Sequence, residues 1–274
     1  NKDGHLWVYR SPAVRDALPD WKIRERQGLA CTFLDRDDLV SEEPALGPMA
    51  ACAVRTNDWA TYVDPKAYVM GLMTHLREQG VAFQDCNVGT LDGDTVTGTD
   101  GRRYPFEHLV IAAGAWSHRL TEQLGDWCPL ETERGYNTTI PSPGISLNRM
   151  LTFAEDHFVA TPMSMGLRIG GAVEFAGLKT PPNFNRSKAL LKLAAKYLPE
   201  LNVDGGTEWM GHRPSTPDSL PVIDRASRYS NIFYAFGHGH LGLTGSATTG
   251  RLIAALVRGE EAGLDLNPFR IGRF

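Results

Sequence analysis

Residues 231–259 read NIFYAFGHGHLGLTGSATTGRLIAALVRG and join an apolar strand, a glycine-rich turn and a helical pattern without a break. Within this segment, Gly237–Gly242 has the GxGxxG spacing of dinucleotide-binding turns. Such a turn belongs to the first strand–helix connection of its domain, and a further strand with a ribose-binding acid follows it. Here fifteen residues follow Gly259. We therefore interpret the turn as a ligand-facing loop, with a plain tight turn as the alternative, because free N–H groups at a helix N-terminus favour an anion or a polarised carbonyl.

A proline-rich segment, GHRPSTPDSLPVID at 211–224, precedes this strand. Its three prolines each fix φ, so the sequence predicts a stiff loop with Arg213 at its start. A guanidinium on a rigid loop suits bidentate capture of a carboxylate. An ion pair between Arg213 and a structural acid, Asp218 or Glu208, is the alternative, and the residues alone leave both open.

A third segment, VIAAGAWS at 110–117, lies further towards the N-terminus. The apolar run that opens it is predicted to be a central, buried strand. Small residues after such a strand let a ligand approach its C-terminal end, where parallel α/β sheets bind ligands. Close helix packing is the alternative explanation for these small residues.

The clearest helix of the sequence begins after Asp64, a good N-cap residue that is followed by proline at the first helical position. Gly80 supplies the residue that ends it. Apolar side chains recur every four residues on one face of this helix, at Tyr68, Leu72 and Leu76.

Strand patterns fill most of the remaining chain. A strand is predicted at 81–88, Asp-Gly turns at 92–93 and 100–101 predict hairpins, and the short strands after Gly114 have an antiparallel pattern. A second amphipathic helix is predicted over 185–201. The fold class predicted from the sequence is therefore α/β plus α+β, a parallel domain interleaved with an antiparallel-sheet domain.

Composition excludes several classes of protein. The 274 residues carry 28 Lys and Arg against 32 Asp and Glu, so no basic face for nucleic acid is expected. No apolar run reaches the ~18 residues of a membrane span, and we predict a cytoplasmic location, with peripheral attachment to the inner membrane as the alternative. The four cysteines are too far apart for a zinc site or a redox pair, so no metal site is predicted.

These segments, taken in order, resemble the D-amino acid oxidase superfamily of flavoproteins. The likeness is nearest to the small-subunit-type D-amino acid dehydrogenases, with glycine and sarcosine oxidases as wider relatives. It spans nearly the whole chain, and the two C-terminal motifs in tandem are its most specific part. The resemblance implies that FAD is the cofactor and that the Cα–N bond of a small amino acid, of D configuration, is oxidised by hydride transfer to the flavin. A sarcosine- or proline-like secondary amine as substrate, or a cofactor-free non-catalytic fragment, are the alternatives, and the electron acceptor, oxygen or a quinone, and the oligomeric state are left open.

The resemblance also implies roles for individual residues. Arg213 would bind the carboxylate of the substrate, and Tyr136 would line the substrate pocket or donate a hydrogen bond there, with ordinary strand packing as its alternative. The helix from Thr244 onward would point its positive end at the flavin. The residues expected to contact the cofactor are Val88, Ala113, Gly114, Ala115, Trp116, Gly237, His238, Gly239, His240, Leu241, Gly242, Leu243 and Thr244.

The domain assignment follows the same resemblance. We predict a discontinuous substrate domain from 1–60 and 129–205, and a portion of the FAD-binding domain from 61–128 and 206–274. Proteins of this superfamily open with a strand, a true GxGxxG turn, a helix and an acidic ribose anchor, and this sequence shows none of these. The sequence is therefore interpreted as a fragment that lacks the dinucleotide-binding unit, and the 274-residue chain alone is expected to be inactive.

The 274-residue chain alone is predicted to bind FAD weakly or not at all, because the pyrophosphate would lack its main electrostatic anchor at a helix N-terminus. Titration of the purified chain with FAD, followed by flavin fluorescence, measures this. Sub-micromolar binding would contradict the prediction.

Overall fold

The computed structural model describes residues 2–17 and 20–274, and strands outnumber helices in this part of the chain. The helices are α1 (Pro12–Ala17), α2 (Asp20–Arg26), α3 (Arg36–Glu42), α4 (Pro65–Glu78), α5 (Ser117–Gln123), α6 (Asn185–Tyr197) and α7 (Gly242–Arg258). The strands are β1 (His5–Tyr9), β2 (Cys31–Leu34), β3 (Cys52–Thr56), β4 (Val88–Leu91), β5 (Thr95–Gly98), β6 (Arg103–Pro105), β7 (Leu109–Ile111), β8 (Glu131–Ile140), β9 (Met150–Phe153), β10 (Phe158–Met163), β11 (Gly166–Phe175), β12 (Thr207–Ser215), β13 (Val222–Arg225) and β14 (Ile232–Phe236). The predicted mixture of α/β and antiparallel structure is confirmed.

The chain divides into two compact units, each discontinuous in sequence. The first unit consists of Asn1–Val81, Gly135–Val173 and Pro182–Met210. The second unit consists of Ala82–Arg134, Glu174–Pro181 and Gly211–Phe274. The boundaries predicted from the sequence lie after residues 60, 128 and 205. Helix α4 was therefore predicted to belong to the FAD-binding portion, whereas in the structure it lies in the first unit. The functional assignment of the two units stays a prediction.

The first unit is built on the larger sheet, in which the strand order is β12-β8-β11-β10-β9-β1-β3-β2. Its centre pairs β1 with β3 in antiparallel fashion and with β9 in parallel. Helix α6 packs its apolar stripe into the core cluster of this unit. Phe153 and Phe158 stack there with ring centroids 4.3 Å apart, and the ring of Tyr197 on α6 lies 4.5 Å from that of Phe153.

Helix α4 forms where it was predicted, but its apolar face does not pack as expected. The Asp64 carboxylate accepts the N–H of Ala67 at 2.8 Å, and a proline opens the helix. Within the described chain, however, no residue of α4 is buried. The side chains that share the apolar face, Tyr68, Leu72 and Leu76, are all exposed. The apolar periodicity thus predicted the helix correctly, but the burial of its apolar face that such a pattern suggests is not found.

Two strand predictions in the second unit are wrong. Residues 81–87 form no strand, and β4 begins only at Val88, although the predicted hairpins of β4, β5 and β6 are confirmed. The predicted central strand, β7, lies at the end of a three-stranded sheet of order β13-β14-β7. It pairs in parallel with β14, and Val110 is 39% exposed. Apolar composition on both faces therefore does not identify a central strand here.

The segment that contains Arg213 is a strand and not the predicted loop. Strand β12 runs from Thr207 through Pro214 to Ser215 at one end of the larger sheet. An end strand tolerates proline because one row of its N–H groups has no neighbouring strand to pair with. Since successive side chains of a strand alternate between its faces, Arg213 and Ser215 share a face. The strand thus directs Arg213 more firmly than a loop would.

We expect Phe153→Ala to lower the free energy of unfolding by about 3–5 kcal/mol, because it removes the ring at the centre of the stacked cluster. Chemical denaturation measures this. Phe33→Ala, at a position that is 44% exposed on β2, is the matched control and should cost about 1 kcal/mol or less. Equal losses for the two variants would contradict the assignment of the core.

Candidate active site

The glycine-rich turn connects β14 to α7 within the second unit. Gly237 and Gly239 have positive φ values of 79° and 52°, a conformation that side chains other than glycine rarely adopt. A Cβ atom at Gly239 would meet no neighbouring atom closer than the Ser215 hydroxyl at 3.6 Å, so the surface of the turn is open on that side. Helix α7 begins at Gly242, two residues before the predicted Thr244. No side chain of the described residues caps its first N–H groups, which leaves them available to a ligand.

A cavity of about 610 Å³ lies against this turn. Five of the residues expected to contact the cofactor line it, namely Gly237, His238, Gly239, His240 and Leu241. Three others, Gly242, Leu243 and Thr244, form the first turn of α7. Glu133 of β8 and Ser215 of β12 also line it, and sequence reasoning missed both.

Glu133 is the centre of a hydrogen-bonded cluster in this wall. One carboxylate oxygen accepts the hydroxyl of Ser215 at 2.9 Å, and the other lies 3.3 Å from Nε2 of His240. The side chain of Glu133 is 15% exposed, whereas that of His240 is 56% exposed. The cluster therefore ties β8, β12 and the glycine turn to one carboxylate.

Arg213 lies close enough to this cluster to act on it electrostatically. Burial lowers the pKa of Arg213, and the negative charge of Glu133 opposes that shift. Burial, followed by the charge of Arg213, lowers the pKa of His240, and Glu133 again opposes the shift. Nη1 of Arg213 is buried and has no hydrogen-bond partner among the described residues. A buried donor in this state is costly unless a ligand completes it.

The neighbouring histidines hold the site together. His238 shares a backbone bridge with Ser215, and its Nε2 lies 2.9 Å from the hydroxyl of Thr249 on α7. Burial lowers the pKa of His238, so the neutral ring is favoured. Nδ1 of His212 lies 2.8 Å from the hydroxyl of Thr132, and the ring of His212 meets that of Trp116 edge-on at 5.4 Å. These contacts give His238 a positioning role in the turn.

The other expected cofactor residues surround separate cavities of the second unit. Val88, Ala113 and Trp116 line one of about 640 Å³. Ala115 is buried and lines another of about 310 Å³. Gly114 has a φ of 56° and open space beside it. The structure thus brings Val88 together with the AAGAW segment as expected, in a cavity other than that of the glycine turn.

Tyr136, which the resemblance placed in the substrate pocket, and Arg168 of the first unit have structural partners in the fold. Tyr136 is buried in the first unit, where its hydroxyl accepts the N–H of Asn183 at 3.1 Å and its ring meets Phe184 edge-on. This position agrees with the strand-packing alternative, and a substrate role for Tyr136 stays a prediction. Nε of Arg168 donates to the hydroxyl of Thr139 at 3.1 Å.

Arg134 follows Glu133 in the sequence and is fully buried on the opposite face of β8. Its guanidinium donates to the carbonyl oxygens of Ala176, Gly177, Thr180 and Pro181. It also lies 3.5 Å from the carboxylate of Glu174. Arg134 therefore holds the 174–181 segment in place, and Arg213 is the better of the two for a carboxylate ligand.

Comparison with known proteins gives the family. The chain matches the model of the FAD dependent oxidoreductase family, DAO, over residues 1–256. It belongs to this family. A D-amino-acid oxidase of Bradyrhizobium diazoefficiens is 37% identical over 281 aligned residues, which cover 100% of this chain and 67% of that protein. Two solved structures share the fold: glycine oxidase from Geobacillus kaustophilus, with a TM-score of 0.84, 22% identity and coverage of 100% and 75% of the two chains, and iminodiacetate oxidase from Chelativorans sp. BNC1, with a TM-score of 0.82, 18% identity and coverage of 98% and 76%.

This oxidoreductase family implies FAD, and the residues around the glycine turn fit that cofactor. Gly239 leaves room for a flat ring beside the backbone, and the uncapped start of α7 offers N–H groups to a ring carbonyl or an anionic reduced ring. Among the helices of the described residues, none combines the length and apolarity that a membrane crossing requires. In residues 2–17 and 20–274, no three His, Cys, Asp or Glu side chains are placed to hold a metal ion.

Replacement of Arg134 and of Arg213 should affect the stability of the fold to very different extents. Arg134→Met should lower the free energy of unfolding by about 3–5 kcal/mol, because it removes the donor of several backbone carbonyls and the ion pair with Glu174. Arg213→Met should change it by about 1 kcal/mol or less, because its buried Nη1 makes no hydrogen bond among the described residues. Urea denaturation of both variants, with the exposed Arg102→Met as control, measures the difference. A larger loss at Arg213 than at Arg134 would reverse the two assignments.

Proposed function

We propose that the intact protein oxidises the Cα–N bond of a small amino acid, with FAD as the hydride acceptor. The observation that carries this proposal is the buried, unpartnered Nη1 of Arg213 in the described chain, beside the open glycine turn. A guanidinium with an unmet donor next to a flavin site fits a substrate that carries a carboxylate. The 37% identity to a D-amino-acid oxidase supports an amino acid of D configuration as the substrate.

The protein's part in this reaction is binding and orientation. FAD, when bound, supplies the acceptor for the hydride that leaves Cα. Gly237–Leu241 and the start of α7 would hold the pyrimidine end of its ring. Arg213 would clamp the carboxylate, so that rotation of the substrate is limited and Cα is held toward the ring. The side chains of Glu133, Ser215 and His240 face the same space and set its polarity.

Primary and secondary amines are the two substrate classes to distinguish. A D-amino acid such as D-alanine yields ammonia after hydrolysis of the imine, whereas sarcosine yields methylamine. Anaerobic mixing of the intact, FAD-loaded protein with D-alanine, L-alanine or sarcosine shows which one bleaches the flavin. Readmission of oxygen or addition of a quinone then identifies the electron acceptor. A separate experiment, recovery of the protein from cell fractions, checks the predicted cytoplasmic location. Flavin that none of these amines bleaches would count against the proposed function.

Arg213→Leu in the intact enzyme should raise KM for the preferred amino acid by about 100-fold or more, with a smaller change in kcat. The loss of one side of a buried charged pair costs about 2–5 kcal/mol. Steady-state kinetics measure the two parameters separately. Arg102→Leu, on an exposed hairpin, is the control and should leave both near the parent values. A KM that stays within a few-fold of the parent would remove Arg213 from carboxylate binding.

A further inference from the structure

Glu133 lies in the wall of the cavity beside the glycine turn, where its carboxylate accepts the hydroxyl of Ser215, and the function proposed above gives it no chemical role. Its two oxygens are engaged separately, by Ser215 and by His240. Their geometry fixes the direction of the carboxylate, while its partial exposure leaves it accessible from the cavity.

The position of Glu133 beside Arg213 matches the charge distribution of an amino acid. An amino acid carries its carboxylate and its ammonium group on the same carbon, so a site that binds both needs a cation and an anion side by side. Arg213 and Glu133 supply these from neighbouring strands of the sheet, because Ser215, which donates to Glu133 at 2.9 Å, shares a face of β12 with Arg213. A site built only for a carboxylate would gain nothing from an acid at this point, because Glu133 would repel the ligand.

We propose that Glu133 binds the ammonium group of the substrate and accepts its proton before oxidation. This inference rests on the proposed function. In the step, an N–H bond of the ammonium breaks and an O–H bond forms on Glu133. The nitrogen keeps the electron pair that becomes part of the C=N bond, while the Cα hydrogen leaves with its two electrons to the flavin of this FAD-dependent family. The proton on Glu133 returns to water when the product leaves the cavity.

The groups that face Glu133 are suited to this role. Ser215 keeps a hydrogen bond on the carboxylate and Nε2 of His240 stays 3.3 Å from it in the absence of substrate, so the carboxylate is not left without polar neighbours. The guanidinium of Arg213 and the ring of His240 lie near it on β12 and on the turn, and Glu131 lies on its own strand and also lines the cavity. Glu131 is exposed, and its carboxylate accepts the N–H of Thr132 at 2.7 Å, so it is folded back on the strand.

Two ligands of the same shape separate the ammonium from the carboxylate. The first is 2-aminoisobutyrate, which has no α-hydrogen and cannot be oxidised, and the second is pivalate, in which a methyl group replaces the ammonium. Binding of both to the intact, FAD-loaded protein is measured by titration calorimetry. We expect Glu133→Gln to raise the dissociation constant of 2-aminoisobutyrate tenfold or more. The dissociation constant of pivalate should stay unchanged or fall. Glu122→Gln removes the same charge from an exposed position on α5, outside the cavity, and should change the binding of both ligands by less than twofold.

A kinetic readout tests the proton transfer itself. In the parent, kcat/KM for D-alanine should be level with pH around and above neutrality while the substrate is an ammonium, because the enzyme itself takes up the proton. In Glu133→Gln it should rise tenfold per pH unit up to the pKa of the substrate amine, because only the free amine is then reactive. Glu133→Asp, which keeps the base, should restore part of the level region and serves as the second variant if the glutamine form does not fold.

The outcomes separate this inference from the function on which it rests. If both ligands weaken by the same factor in Glu133→Gln, or if its pH profile equals that of the parent, Glu133 supports only the fold and the inference is overturned. If Arg213→Leu abolishes binding of both ligands while Glu133→Gln changes neither, the proposed function stands and the inference falls. If the parent protein binds neither ligand, the proposed function itself fails.

Discussion

The polar contacts of one carboxylate, that of Glu133, connect the parts of the candidate site. Strand β8 supplies the acid, β12 supplies the hydroxyl of Ser215, and the glycine turn supplies His240. Without these contacts, the turn would be held to β12 mainly by the single backbone bridge between Ser215 and His238. The position of Arg213 depends on the same connection, because it extends from the strand face that Ser215 occupies.

Local sequence patterns predicted the elements of this fold better than their surroundings. Helix α4 begins at the predicted cap because an aspartate and a proline suffice to set a helix start. Whether its apolar face is covered depends on segments elsewhere in the chain, and periodicity carries no information about them. The apolar run around 109–111 likewise gave a strand, but its place at the end of a sheet depends on which strands lie beside it.

The same limit explains which site residues could be found. The glycine turn was visible because its spacing is local, and Arg213 was visible through its motif. Glu133 gave no local signal, because its partner Ser215 lies 82 residues away in sequence. Arg134 is an arginine next to Glu133 in the sequence, and only the backbone carbonyl groups that its guanidinium contacts show that it has a structural role. The sequence does hold one usable signal: consecutive residues of a strand face opposite sides, so an acid next to an arginine on a predicted strand indicates that one of the two faces the ligand side.

Glu133 and Arg134 are adjacent in the chain and have opposite destinations, one at the cavity and one in a carbonyl-lined interior. A strand side chain changes face with every step, so a slip of β8 by one residue would exchange the two. The acid would then enter the interior without donors, and the arginine would fill the cavity. The register of β8 therefore decides both the packing of the interior and the residues that line the cavity. The free-energy cost of burying a carboxylate without hydrogen-bond donors disfavours the slipped register.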